Sequence, residues 1–272
     1  MDILALFPPE IREGIGATLR ESRLTDLSME ELEQQMVDGY NASEGTLQGY
    51  DCPICKNRGD IMILDPETLE RKVRPCRCMA QRRSVRYLER SGLSKVLDTY
   101  TWDAWQCQEP WQAQALRVAQ AYAQHPDGWF LATGRPGTGK THLCTAICGD
   151  LLRSGNEVRY LLWREFTTQA KAVINDDEAY QSLVAPYKRV PVLYLDDLFK
   201  TGKGQEPTTG DVNLAFELLN ARYADPDKLT IISTELSVTR LLDIDEAIGS
   251  RIYEKAKAHY LDLSGKKNWR LA

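Results

Sequence analysis

Short apolar runs alternate with stretches of helical periodicity over the C-terminal part of the chain. The runs are too short for helices and predict five buried strands, at residues 129–133, 157–163, 192–195, 228–233 and 259–263. Helices are predicted between them, for example at residues 141–153, 211–223 and 244–257. Strands that alternate with helical crossovers build a parallel sheet with helices on both faces. The pattern therefore predicts an α/β fold of three layers, with a five-stranded parallel sheet, from about residue 99 onward.

A different pattern precedes this region. Residues 61–64 and 69–74 are strand-like and flank residues 65–68 (Asp-Pro-Glu-Thr), which are typical of a hairpin turn. Four cysteines flank this hairpin in two close pairs, Cys52 with Cys55 and Cys76 with Cys78. A hairpin brings the second pair beside the first, and four thiolates on two tight turns fit the closed shell of structural zinc. Disulfides are the alternative, although a cytoplasmic chain disfavours them.

The other cysteines and the histidines lack the spacing of metal ligands. We interpret the cysteines as packing residues, namely Cys107, Cys144 and Cys148. We interpret the histidines as structural, namely His125, His142 and His259. Catalytic zinc is not expected, because four thiolates leave no open coordination position.

The composition is ordinary for a soluble globular protein, with 43% hydrophobic and 27% charged residues in 272 positions. No apolar run reaches membrane-spanning length and the N-terminus lacks the features of a signal peptide, so we expect a cytoplasmic protein without a membrane partner. The net charge of −5 argues against a protein that simply coats nucleic acid. This average hides a split, since residues 1–50 have ten acidic and three basic side chains and residues 71–90 have eight basic and one acidic. This difference in charge indicates either that the two segments bind different partners or that both are simply exposed to solvent.

The stretch between the first predicted strand and the next helix matches the phosphate-loop pattern G-x-x-x-x-G-K-[ST]. Glycines let several backbone N–H groups point at one anion, at a helix N-terminus that already favours negative charge. Lys140 is expected to meet the β- and γ-phosphates of ATP, and the hydroxyl of Thr141 to bind Mg²⁺. A glycine-rich turn without a ligand is the alternative, which the strand–loop–helix context disfavours. The predicted nucleotide-binding residues are Gly134, Arg135, Pro136, Gly137, Thr138, Gly139, Lys140, Thr141 and His142.

Two acids follow the predicted strand at residues 192–195. Acids at the C-terminal end of a parallel strand lie in the crevice where such sheets bind ligands. We expect Asp196 to hold Mg²⁺ through its water shell and Asp197 to orient or deprotonate the attacking water. A surface Asp-Asp turn is the alternative, and the phosphate loop upstream argues against it.

These features together resemble the bacterial or phage replicative-helicase loaders of the DnaC/DnaI type over most of the chain. The resemblance is carried by CPICKNRG and RPCRC near the N-terminus, and by GRPGTGKTH, LYLDDLFK and LLDIDEAIGSRIYE further on. It implies an AAA+ ATPase core, an N-terminal part, often stabilised by zinc, that grips the hexameric helicase, and self-association through the ATPase domain. It also implies that Arg251 is an arginine finger for the nucleotide of a neighbouring subunit. From the residues alone, Arg251 is an arginine on a helix surface.

The chain departs from this family at two positions. Its Walker B motif ends Asp196-Asp197 where the family usually has Asp-Glu, and the lost methylene draws the second carboxylate back from the water. Glu235 stands where a sensing asparagine is common, and a carboxylate near the γ-phosphate repels it unless something pairs with that carboxylate. Thr234 remains to supply a hydroxyl to the nucleotide. Both departures predict slow hydrolysis, which favours ATP as a switch over ATP as a fuel.

The sequence therefore predicts an ATP-dependent helicase loader in three parts: an acidic helical segment at residues 1–50, a zinc-binding module with a basic helical linker at 51–98, and the ATPase domain at 99–272. Its expected partners are the replicative helicase and single-stranded DNA. Lys200 and Lys203 are candidate DNA contacts, unless the glycine-rich loop around them is only a solvated loop. A transposition-helper ATPase acting on duplex DNA, an ATP-gated adaptor without turnover and a small-molecule kinase are the alternatives.

Overall fold

The computed structural model describes residues 28–48, 51–91, 97–202 and 204–269. The chain divides into two compact units, residues 1–79 and residues 80–272. The predicted helical segment before residue 28 and the candidate contact Lys203 lie outside the described residues. The predicted boundaries near residues 50 and 98 remain predictions. No helix within the described ranges combines the length and the apolar character needed to cross a membrane.

One helix and one hairpin build the first unit. Its elements are helix α1 (Met29–Ala42), strand β1 (Asp60–Leu64) and strand β2 (Arg71–Pro75). The helix begins at a reciprocal capping box, in which the side chains of Ser28 and Glu31 each accept the backbone N–H of the other residue. The two strands pair antiparallel, and the carboxylate of Asp65 accepts two backbone N–H bonds in the turn that joins them. The predicted hairpin is therefore confirmed.

Asn41 attaches α1 to the hairpin. Its side-chain amide donates to the carbonyl of Met62 and accepts the N–H of the same residue, both at 2.9 Å. Beside it, the hydroxyl of Tyr40 donates to the carboxylate of Asp60 at 3.1 Å. In an antiparallel sheet, a residue exchanges two backbone hydrogen bonds with its partner on the neighbouring strand, and the amide of Asn41 makes the same two bonds to Met62. It therefore satisfies part of the unpaired edge of β1.

Helices and strands alternate through the rest of the chain. In order they are α2 (Cys78–Ser91), α3 (Pro110–Gln124), β3 (Trp129–Thr133), α4 (Lys140–Arg153), β4 (Val158–Leu162), α5 (Trp163–Ala172), α6 (Asp177–Arg189), β5 (Val192–Asp196), α7 (Thr209–Tyr223), β6 (Leu229–Thr234), α8 (Val238–Ile244), α9 (Glu246–Ala256), a short 3₁₀ turn (Lys257–His259) and β7 (Tyr260–Asp262). The strands β3 to β7 form one parallel sheet in the spatial order β4-β5-β6-β3-β7. The α/β fold with a five-stranded parallel sheet is confirmed.

Both faces of this sheet are covered by apolar side chains. In β3, Trp129 and Leu131 belong to one buried cluster, whereas Phe130 and Ala132 belong to another. Successive side chains of a strand point to opposite faces, so the two clusters are the two sides of the sheet. A strand buried on both sides has no polar face, which explains why its sequence is an unbroken apolar run.

The predicted helix at residues 244–257 corresponds to α9 (Glu246–Ala256), which begins two residues later than predicted. Asp245 separates it from α8, because its backbone is extended and its carboxylate accepts the N–H of Ile248 at 2.8 Å, which caps α9. Gly249 lies so close to α8 that a Cβ there would be 2.7 Å from the backbone nitrogen of Leu242. The cap and this close approach together turn α9 back against α8.

The guanidinium of Arg222 on α7 is fully buried and joins three parts of the second unit. It donates to five acceptors, the carbonyls of Tyr187, Val190, Pro191 and Leu229 and the hydroxyl of Thr230. These acceptors belong to the end of α6, the approach to β5 and the start of β6. Burial lowers the pKa of Arg222 to about 9, so the side chain remains charged at neutral pH.

Replacement of Arg222 by alanine is expected to lower the free energy of unfolding by about 3–5 kcal/mol, because buried acceptors lose their donor and a cavity remains. Urea denaturation followed by circular dichroism measures the change. Arg189→Ala, which removes an exposed arginine at the end of α6, is the control and is expected to stay within about 0.5 kcal/mol of the unchanged protein. A similar, small effect of both substitutions would contradict the role given to Arg222.

Candidate nucleotide site and candidate metal centre

The predicted phosphate loop forms the turn between β3 and α4. Its last glycine, Gly139, has a φ of 93°, and a Cβ there would lie 2.5 Å from the ring of Trp105. Only glycine fits this position without displacing the ring. The hydroxyl of Thr138 donates to the carbonyl of Arg135 at 2.9 Å and closes the turn. The N-terminus of α4 follows directly, with first-turn N–H groups that no residue of the helix itself can bind.

Lys140 is the first residue of α4 and is 5% exposed. Its ammonium donates to the carbonyls of Gly134 and Arg135 at 2.7 and 3.0 Å. Burial lowers the pKa of Lys140, and the charges of Glu235 and Asp197 oppose this shift. The side chain is therefore a positive charge held on the loop and close to two carboxylates.

Asp196 ends β5 and is 5% exposed. Its carboxylate accepts hydrogen bonds from the hydroxyls of Tyr194 at 2.8 Å, Tyr160 at 3.0 Å and Ser233. Burial raises the pKa of Asp196, and the three hydroxyl groups work against that shift. The carboxylate of Asp196 is thus fixed from three sides by hydroxyl groups.

A cavity of about 270 Å³ lies beside the loop. It is lined by Tyr100, Pro136, Gly137, Gly139, Lys140, Thr141, His142, Asp197, Lys200, Glu235 and Trp269. Within it, the hydroxyl of Thr141 and the carboxylates of Asp197 and Glu235 are oxygen donors of the type that Mg²⁺ prefers. The residues present therefore fit a nucleotide with its magnesium ion.

Lys200 joins the two carboxylates of this cavity. Its ammonium lies 2.8 Å from a carboxylate oxygen of Asp197 and 2.8 Å from one of Glu235. Partial burial opposes the shift, but the two acids raise the pKa of Lys200. The expectation that Lys200 contacts DNA remains a prediction, and in this structure its ammonium is paired with the two acids of the cavity. In the sequence, the only local indication of this pairing is that Lys200 follows Asp197 by three residues.

The two residues at the end of β6 do not behave alike. Glu235, expected to repel the γ-phosphate unless paired, is paired with Lys200. Thr234 is fully buried, and its hydroxyl donates to the carbonyl of Leu198 at 2.8 Å. The hydroxyl of Thr234, which was expected to donate to the nucleotide, thus donates to a carbonyl of the protein itself.

Aromatic residues from distant segments flank the other side of the loop. A second cavity, of about 460 Å³, is bounded there by Trp105, His142 and Trp269 together with the loop. A ring nitrogen of His142 lies 2.8 Å from the carbonyl of Thr101, and the backbone N–H of Trp269 donates to the carbonyl of Gly137 at 3.0 Å. Sequence reasoning missed both tryptophans, since nothing in the local pattern connects residues 105 and 269 with residues 134–141.

Arg251 lies on α9 and packs against α7. Its guanidinium is 5.2 and 5.5 Å from the ring centres of Phe216 and Tyr223, and it donates to the carbonyl of Ala247 at 2.8 Å. It is not among the residues that line the two described cavities. Arg251 therefore does not face the nucleotide cavity of its own chain. Its role as an arginine finger for the nucleotide of another subunit remains a prediction.

The four cysteines of the first unit converge as the hairpin predicts. Their sulfur atoms all lie within 4.8 Å of one another, and all four side chains are buried. The four residues are Cys52, Cys55, Cys76 and Cys78, none of them in a disulfide. Four thiols at this spacing fit the closed tetrahedral shell of structural zinc. Of the other cysteines, Cys144 and Cys148 are buried packing residues as predicted, whereas Cys107 is exposed and the packing prediction is wrong for it.

The fold and the loop define a P-loop protein with an AAA+ type core. The chain belongs to the family of IstB-like ATP binding proteins, whose family model matches residues 60–258. This confirms, at the level of the family, the resemblance to ATPases of the DnaC/DnaI type that the sequence predicted.

Among its relatives is the phage-like element PBSX protein XkdC of Bacillus subtilis (strain 168), which is 28% identical over 82% of this chain and 86% of that protein. The replicative helicase loader DnaC of Escherichia coli (strain K12) is also 28% identical, but over 42% of this chain and 48% of DnaC. The crystal structure of the DnaC helicase loader superimposes with a TM-score of 0.51 and 22% identity, over 62% of this chain and 98% of that one. At this identity the structural likeness establishes the fold.

Lys140→Ala is expected to weaken ATP binding by roughly 100-fold or more, because a buried charge-assisted contact contributes about 1.5–3 kcal/mol per bond. Titration with a fluorescent ATP analogue measures the affinity. Lys257→Ala, which removes an exposed lysine outside the cavity, is the matched control and should bind ATP normally. Normal binding by Lys140→Ala would show that the loop does not hold the phosphates.

Protein purified without chelators is expected to contain one zinc ion per chain. Cys52→Ser should lose the metal and increase proteolysis of the first unit, since a structural zinc site contributes folding energy directly. Elemental analysis and limited proteolysis provide the two measurements. Cys107→Ser, an exposed cysteine outside the cluster, should keep the metal, and metal-free wild-type protein with an intact first unit would refute the assignment.

Proposed function

We propose that this protein is an ATP-dependent loader that binds the replicative DNA helicase and helps to place it on single-stranded DNA. The proposal rests on one observation: a phosphate-loop cavity and a four-cysteine unit occur on the same chain, which over 42% of its length is 28% identical to the replicative helicase loader DnaC. The ATPase core controls when the helicase is released onto the DNA, and the cysteine unit binds the helicase.

In this proposal the triphosphate binds at the N-terminus of α4. The first-turn N–H groups and the ammonium of Lys140 receive the β- and γ-phosphates, with Lys140 exchanging its loop carbonyls for phosphate oxygens. Thr141 and, through water, Asp196 hold Mg²⁺, which neutralises charge that develops on the phosphates. The three hydroxyls around Asp196 keep its carboxylate aimed at that position.

The resting cavity is arranged for binding rather than for rapid turnover. Both acids that face the loop are engaged by Lys200, so neither is free to orient water. Hydrolysis by the isolated chain is therefore slow and rises when partners align neighbouring subunits. ATP acts in this scheme as a switch.

Arg251 is the residue we assign to that alignment. To reach a neighbouring nucleotide, Arg251 gives up two cation–π contacts, about 0.5–1 kcal/mol each, and its hydrogen bond to the carbonyl of Ala247. Its buried Nε has no hydrogen-bond partner among the described residues. An arginine supplied from a neighbouring subunit can accelerate phosphoryl transfer about a thousandfold or more.

The experiment that tests the proposal is size-exclusion chromatography with the cognate replicative helicase, with and without ATP. Co-elution that is lost in Cys52→Ser and altered by ATP in the wild-type protein but not in Lys140→Ala is the expected result. A transposition helper would instead bind duplex DNA and a transposase and would elute apart from the helicase. An adaptor without turnover would co-elute but show no ATP hydrolysis in the complex.

Arg251→Ala is expected to abolish the stimulation of hydrolysis by helicase and single-stranded DNA while leaving ATP binding within a few-fold. Turnover with and without partners, measured beside nucleotide titration, tests both statements. Lys255→Ala is the matched control, because Lys255 lies on the same helix and faces the same ring of Tyr223 at 5.0 Å. Rapid hydrolysis by a monomeric chain, unaffected by Arg251→Ala, would show that ATP is a fuel and that no neighbouring arginine is needed.

A further inference from the structure

The turn that follows β5 brings Lys200 back to the nucleotide cavity. Asp197 and Phe199 both have a left-handed backbone, with φ of 55° and 59°. Such a conformation costs about 1–3 kcal/mol in a residue other than glycine, persists only where its surroundings enforce it, and is concentrated at active sites and switch regions. Two such residues in one short turn therefore call for a reason beyond a change of chain direction.

Contacts with the end of β6 hold this turn in place. Leu198 donates its N–H to the carbonyl of Ser233 at 2.9 Å, and its own carbonyl accepts the hydroxyl of Thr234 at 2.8 Å. The N–H of Lys200 then donates to the carbonyl of Asp197 at 3.0 Å. The backbone at Lys200 is thus held against the sheet, and its long side chain brings the charge into the cavity.

The side chains of Lys140 and Lys200 share this cavity of about 270 Å³. Burial lowers the pKa of Lys140, the charges of Glu235 and Asp197 oppose that shift, and the charge of Lys200 adds to it. The two cations therefore lie within electrostatic reach of each other. Two like charges at this range are costly unless anions neutralise them. In this structure Asp197 and Glu235 do so, each with a carboxylate oxygen 2.8 Å from the ammonium of Lys200.

The two lysines come from different parts of the sheet. Lys140 follows the loop after β3, whereas Lys200 follows β5, two strands away in the spatial order. In the proposed function, the water oriented by Asp197 attacks the γ-phosphorus. A cation bound to the carboxylate of Asp197 therefore lies on the side of the terminal phosphate, a group that ADP does not have.

We propose that Lys200 binds the γ-phosphate and thereby makes the cavity prefer ATP over ADP. The inference rests on the proposed ATPase function and identifies the residue that sets its nucleotide preference. Asp197 and Glu235 position the ammonium, and the oxygens of the γ-phosphate compete with them for it. The same exchange releases Asp197, so the acid expected to orient the water becomes available when the γ-phosphate is bound.

The competing explanation is that Lys200 only neutralises the two acids. Removal of its charge then leaves two carboxylates that repel ATP and, less strongly, ADP. The double variant Lys200→Ala with Glu235→Gln separates the explanations, because it removes one charge of each sign and keeps the charge balance of the cavity. ATP affinity returns to normal in this variant if Lys200 only neutralises, and it stays low if Lys200 contacts the γ-phosphate.

The test measures the dissociation constants of magnesium ATP and magnesium ADP for the full chain by isothermal titration calorimetry. Lys200→Ala is expected to weaken ATP binding by roughly 10- to 100-fold, the range of one lost charge-assisted hydrogen bond, and to weaken ADP binding less. The double variant is expected to bind ATP as weakly as Lys200→Ala and ADP within a few-fold of the unchanged protein. Lys200→Gln, which keeps much of the length without the charge, is the second variant and should behave as Lys200→Ala does.

Lys228→Ala is the matched control. Lys228 follows Asp225 by three residues, as Lys200 follows Asp197, and pairs with it at 3.0 Å, but it does not line the cavity. Both affinities are expected to stay unchanged in this variant. Thermal melting of each variant verifies that it folds.

Several outcomes would overturn the inference. They are equal affinities of the unchanged protein for ATP and ADP, recovery of ATP affinity in the double variant, and equal losses for the two nucleotides in that variant. Normal nucleotide binding by Lys200→Ala with weaker binding of single-stranded DNA would assign Lys200 to the DNA instead. In all these cases an unchanged protein that binds and hydrolyses ATP leaves the proposed function standing. If that protein binds neither nucleotide, the inference and the proposed function fail together.

Discussion

The two acids at the end of β5 are held by one buried residue, Ser233, at the end of β6. Its hydroxyl donates to the carboxylate of Asp196 and accepts the backbone N–H of Asp197, and its carbonyl accepts the N–H of Leu198 at 2.9 Å. Asp196, Asp197 and Leu198, at the end of β5, are thereby all hydrogen-bonded to Ser233 of the neighbouring strand β6. The chain turns away from the strand at this point through the left-handed backbone of Asp197, whose φ is 55°. The position of Lys200, three residues later, follows from this junction.

Charge balance is the second constraint on the cavity. Lys140 and Lys200 bring two positive charges, and Asp197 and Glu235 bring two negative ones. A partly buried charge without a partner is costly, so a glutamate at the end of β6 is tolerated only because Lys200 reaches it. From the sequence Glu235 looked like an obstacle to binding a triphosphate. In the folded chain its carboxylate is instead paired with the ammonium of Lys200.

The two compact units depend on different forces. Among the described residues of the first unit, the buried hydrophobic side chains are Val37 and the four clustered cysteines, so a metal ion would take the place of an apolar core. The second unit has two large apolar clusters on the faces of its sheet and gains stability from burial of apolar surface. Within it, the fully buried guanidinium of Arg222 donates to five acceptors that would otherwise be buried without a partner.

Local spacing determined much of this protein. Short, largely apolar runs predicted the five strands, the loop predicted its own place between β3 and α4, and two cysteine pairs around a hairpin predicted the cluster, because each signal lies within a few residues. The tertiary structure alone decided which strands are neighbours, and with that which acid stands next to the loop. The pairing of Lys200 with Glu235, the tryptophans beside the loop and the burial of Arg222 all join residues far apart in the chain. Such contacts depend on the order β4-β5-β6-β3-β7. The periodicity of a single segment does not predict this order. The order is set by the helical crossovers, which pack against side chains from the whole sheet.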